Sequence, residues 1–114
     1  MFARPKRNKQ VIVDRQILYL HEVMVAKCLA EPTLFTKVLE NLETRHTQGI
    51  IRYGSYLLWH SILETRDQPE LFASLVLATD SRTQALRRKT IFGGVLTEAE
   101  REAALTTYIA SELN

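Results

Sequence analysis

Apolar residues recur every three to four positions throughout this chain, in helix-length blocks, and each block is cut off by a turn signal. That pattern constrains the fold more than any other feature. Ile17, Leu20, Met24 and Cys28, flanked by Leu18, Val25 and Leu29, predict a first helix from Asp14 to Ala30. The Asp14 carboxylate is the expected N-cap, and Val11–Val13 read as a lead-in. Apolar side chains surround so much of this helix that it belongs at the centre of the domain or at a contact between copies.

Glu31-Pro32 ends it, because the residue before proline is pushed out of the α region. A second helix is expected over 33–46, with Leu34, Phe35, Val38, Leu39 and Leu42 inward. Gln48-Gly49 then loosens the pattern before a third helix over 50–65. Asp67 as cap, Pro69 in the first turn and Glu70 predict a fourth over 68–78, burying Leu71, Phe72, Leu75 and Val76. A fifth is expected over 81–91, closed by Gly93-Gly94 in the left-handed conformation. Thr97 with Glu100 three residues later is a capping box that opens a sixth helix to residue 112. On that helix Leu105, Tyr108, Ile109 and Leu113 are expected inward. The fold class is therefore all-α: a compact bundle of five or six short helices at 10–114, preceded by a flexible basic arm at 1–9.

Composition matters here for what it excludes. With 114 residues, 46% hydrophobic and 25% charged, the chain suits one globular core. No apolar run is long enough to span a membrane, so no membrane role is expected. Cys28 is the only cysteine, which rules out a scaffold held by internal disulfides. The basic start lacks the uninterrupted apolar stretch of a secretory signal, so the expected location is cytoplasmic. No metal spacing joins His21, His46 and His60, no phosphate loop surrounds Gly93-Gly94, and Glu98, Glu100 and Glu102 suit a first helical turn. No cofactor, metal or catalytic residue is expected, and the chain reads as a binding protein rather than an enzyme.

Net charge is only +2, but it is unevenly spread. Residues 1–15 carry +4 and residues 82–89 another +4, against −6 for the remainder. The second segment follows an apolar helix and a tight turn, the frame in which helix–turn–helix proteins present a reading helix to DNA. Arg82 and Gln84 would reach base edges. Arg87, Arg88 and Lys89 would meet phosphates, helped by Arg4, Lys6, Arg7 and Lys9. Arg52, Tyr56, Trp59 and Leu63 fall at helical spacing and make a candidate interface stripe, since Trp, Tyr and Arg are enriched at binding hot spots. The leading expectation is a small non-enzymatic binding protein, a DNA-associated regulator or adaptor, and a homodimer. The alternative is a homodimeric protein-interaction module whose basic segments bind an acidic partner. A third, weaker reading is a helical enzyme with a pocket near Tyr53, Trp59 and His60.

Overall fold

The structure, a computed structural model, describes residues 5–113, with side chains described from residue 9 onward. Its elements are α1 (Pro5–Ala30), a single 3-10 turn (Pro32–Leu34), α2 (Phe35–Thr47), α3 (Tyr53–Leu63), α4 (Pro69–Val76), α5 (Ser81–Arg88) and α6 (Glu98–Leu113). The described residues contain no strand, so the bundle of short helices expected from periodicity is what forms. None of the helices is long and apolar enough to cross a membrane.

α1 is the spine, and α4, α5 and α6 all pack against it. It starts nine residues before Asp14, at Pro5, whose missing N–H is no loss in a first helical turn. Residues 5–9 of the expected arm are therefore helical, while residues 1–4, with Arg4, lie outside the described residues. Asp14 sits mid-helix and caps nothing. Its carboxylate instead takes both arms of the Arg88 guanidinium, at 2.9 Å from Nε and 2.7 Å from Nη2.

The core gathers Phe35, Val38 and Leu42 of α2, Trp59 and Leu63 of α3, Phe72 and Val76 of α4, and Met24, Val25 and Cys28 of α1. Phe35 and Phe72 meet edge to face at 5.2 Å, the favoured arrangement of two ring quadrupoles. Burial pushes the Cys28 thiol up to about 11, so it packs as a small apolar group. The segment between α5 and α6 also belongs to the core: Ile91, Phe92 and Val95 are fully buried. Asn41 holds this segment in place, donating to the carbonyls of Ile91 (2.9 Å) and Gly93 (2.8 Å).

Helix ends follow the expected chemistry in some places and not in others. At α6 the capping box forms: the Glu100 N–H donates to Thr97 Oγ1 (3.1 Å) and the Thr97 N–H to Glu100 Oε1 (2.8 Å). Asp80 caps α5 through the Thr83 N–H (3.1 Å). α4 starts after Gln68 with no side-chain cap, so Asp67 does not fill the expected role, though Pro69 does sit in the first turn. α5 stops at Arg88 without a left-handed residue, and Gly94, with φ +85°, lies further along in the connecting segment. Gly49, with φ +71°, closes α2: the Ile50 N–H donates to the Arg45 carbonyl (3.0 Å) and the Gly49 N–H to the His46 carbonyl (3.1 Å). Three residues expected inward are exposed: Leu71, and Ile109 and Leu113 near the end of α6.

Candidate functional site

α5 carries the second basic segment, and its packing divides those bases between the inside and the outside of the domain. Thr83, Leu86 and Arg87 stand at i, i+3 and i+4, so they share the face turned to the core. Arg87 is consequently 2% exposed, and its Nη1 donates to the carbonyls of Val76 and Ala78, both at 2.7 Å. A cation there complements the C-terminal end of α4 and ties the α4–α5 turn shut. Arg88 is engaged by Asp14, and this bidentate pair holds the Asp14 carboxyl below its usual range. Gln84 turns back to the Thr79 carbonyl (3.2 Å). Of the residues expected to read or grip nucleic acid, Arg82, Arg88 (paired with Asp14) and Lys89 are exposed on α5 and its C-cap, and Lys9 on α1. Side chains of Lys6 and Arg7 lie outside the described set. Ala85 is exposed on α5.

The stripe Arg52, Tyr56, Trp59 and Leu63 divides in the same manner. Trp59 and Leu63 are each 1% exposed and belong to the core, so they are not available to a partner. Arg52 is exposed and Tyr56 half-buried. Tyr56 stacks on His46 at 4.0 Å and donates its hydroxyl to the Glu43 carboxylate (2.9 Å), which raises the phenol above its usual range. Tyr53, exposed, and His60, 3.4 Å from Glu43, flank that stack, while Trp59 points into the core. The three residues named for an enzyme pocket therefore do not converge on one cavity. Among the described residues no three His, Cys, Asp or Glu side chains are grouped to hold a metal.

A cleft of about 250 Å³ lies between α1 and the segment 88–101, with Ile17, Leu20, Met24 and Phe92 among its walls. His21 lines it and is 2% exposed. Its Nδ1 lies 2.8 Å from the Ile17 carbonyl, which can only accept, so that nitrogen carries the proton. The Thr90 hydroxyl then donates to Nε2 (2.7 Å), while its oxygen accepts from the Phe92 N–H (3.0 Å). Every polar atom of the neutral ring is matched, and burial, with nearby Arg87, lowers the imidazole to about 4. This is a structural histidine, and the sequence offered no cue to Thr90 as its partner.

The opposite end of α1 is built differently. α6 lies antiparallel to α1: Lys27 pairs with Glu100 near one end and Arg15 with Glu112 (2.9 Å) near the other. Tyr19 packs on Tyr108 between them, with ring centroids 5.5 Å apart. Before Arg15, α1 has passed the last turn of α6, and Val11, Ile12 and Val13 are 53%, 55% and 46% exposed. Ile109 and Leu113, near the end of α6, add further apolar surface. No protein-family model, curated protein or solved structure matches the chain.

Proposed function

We propose that the chain is a non-enzymatic protein-interaction module that works as a homodimer, with the projecting end of α1 as the contact between copies. The basic surface is then left for an acidic partner. One observation carries this reading: three consecutive β-branched apolar residues on a helix end that its own domain leaves about half exposed.

α1 has 26 residues, about 39 Å at 1.5 Å per residue, in a domain whose shorter extents are 29 and 26 Å. The helix runs along the 44 Å length of the chain. Val11, Ile12 and Val13 span about 200° of the helix circumference, more than one packed neighbour covers. β-branched residues are also poor helix formers without packing. The charges beside the patch have both signs (Lys9, Arg15 and Glu112), which selects neither an acidic nor a basic partner. Two-fold pairing of identical surfaces accommodates such a patch.

Light scattering of the wild-type chain at micromolar concentration tests the reading. A mass of about 26 kDa is expected, twice the 13.1 kDa of one chain. Ile12→Lys should return it to a monomer with an unchanged helical spectrum. A monomeric wild type refutes the proposal. Salt-sensitive duplex binding that is lost on replacing Arg82 and Lys89 would move the assignment to the nucleic-acid reading.

A further inference from the structure

We infer that a small pocket between the end of α2, the start of α3 and the end of α5 is a binding site for a phosphate group, gripped by Arg45, Arg52 and Lys89. The pocket has a volume of about 90 Å³. That is room for a few water molecules, which suits one tetrahedral oxyanion and excludes a nucleoside. Ser55 supplies a hydroxyl, and Trp59 and Leu86 form part of its apolar wall.

Three cations from three different elements line this cavity, and no carboxylate does. Among the described residues none of the three pairs with Asp or Glu, although Arg15, Lys27 and Arg88 all do. Like charges gathered around one cavity repel unless an anion sits among them. Arg45 is half-buried and fixed by a single bond, Nη1 to the Lys89 carbonyl at 3.0 Å. That bond orients the guanidinium and leaves most of its five donors for a ligand. Immobilising it in advance reduces what a ligand must order on arrival.

The start of α3, which reaches the pocket wall through Arg52 and Ser55, favours the same ligand. α3 begins at Tyr53 with no side-chain cap, and its first internal bond comes from the Tyr56 N–H to the Arg52 carbonyl (2.9 Å). The N–H groups of Tyr53, Gly54 and Ser55 therefore precede the helical ladder, at the positive end of the helix dipole. The left-handed Gly49 turns the chain between Arg45 and Arg52, bringing the end of one helix and the start of the next to one cavity. The site is independent of the dimer contact, which lies on α1.

Inorganic phosphate is the probe, titrated against the full chain at constant ionic strength held with sodium chloride and followed by amide NMR shifts. Saturable shifts centred on Tyr53, Gly54 and Ser55 are expected. Arg52→Gln and Lys89→Gln, both at exposed positions, should each weaken binding about tenfold, the loss of one charge-assisted contact. Fluorescence of Trp59 verifies that each variant remains folded. Shifts that never saturate, that scatter over the surface, or that survive both substitutions overturn the site, as does equal competition by chloride. Parallel titrations with O-phosphoserine and phenyl phosphate separate the sources. Tighter binding than inorganic phosphate assigns the site to a phosphorylated ligand, and equal binding assigns it to the free anion.

Discussion

Lowering the pH from 7 to 5 should weaken this fold through one side chain, His21. Its imidazole is held neutral, lowered to about 4 from an ordinary 6.5, with burial as the main cause. In the unfolded chain the ring takes up a proton as the pH falls through 6.5, whereas in the fold it resists until about 4. The stabilisation from the neutral ring is therefore complete above pH 6.5 and is lost across the interval between the two values. At pH 5 the difference amounts to about 2 kcal/mol. The carboxyls of Asp14, Asp80 and Glu100 are lowered by their partners, so their contributions fade only at more acid pH and leave the window from 7 to 5 to histidine. Urea unfolding at pH 7, 6 and 5, at fixed protein concentration, provides the assay. Trp59, the single tryptophan and 1% exposed, is the reporter. His21→Gln should be less stable at pH 7 and lose most of the pH dependence in this interval. A wild type whose stability is flat from pH 7 to 5, or a variant that loses as much as the wild type, would refute the reasoning.

Ile12→Lys should weaken dimerisation about 30-fold in light scattering: the half-exposed side chain contributes about 1 kcal/mol per copy on burial, counted twice across a two-fold. Phe72→Ala removes a fully buried ring packed edge to face on Phe35 and should cost about 3–5 kcal/mol in urea unfolding. Gly49→Ala meets no atom within 4 Å of its new Cβ, so its cost, about 1 kcal/mol in the same assay, should come from the left-handed backbone alone.

Periodicity made the helices legible, because each buries a stripe and the turns between them use proline, glycine and short polar residues. The Thr97–Glu100 box was readable because all its atoms come from one four-residue stretch. Asp14 misled for the opposite reason: an aspartate before an apolar run resembles a cap, and its actual partner, Arg88, lies 74 positions away. Arg87 could have been recognised as inward, since Thr83, Leu86 and Arg87 form an i, i+3, i+4 set. Charge outweighed periodicity in that reading, and two carbonyls at the end of α4 hold its Nη1 instead. The pocket of Arg45, Arg52 and Lys89 had no sequence signature, because the three come from separate stretches joined by a turn at Gly49 and the bond from Arg45 to the Lys89 carbonyl.

The partners of α1 are remote along the chain. His21 waits for Thr90, Lys27 for Glu100 and Arg15 for Glu112, at separations of 69, 73 and 97 residues. During synthesis α1 therefore leaves the ribosome long before α5 and α6, which cover much of it, while the 3-10 turn and α4 can already pack against its other end. α1 is thus covered in stages, one end early and the rest late. Until α6 emerges, the nascent chain presents the face of α1 around Tyr19 that Tyr108 later covers, a natural target for chaperones that hold unfinished domains.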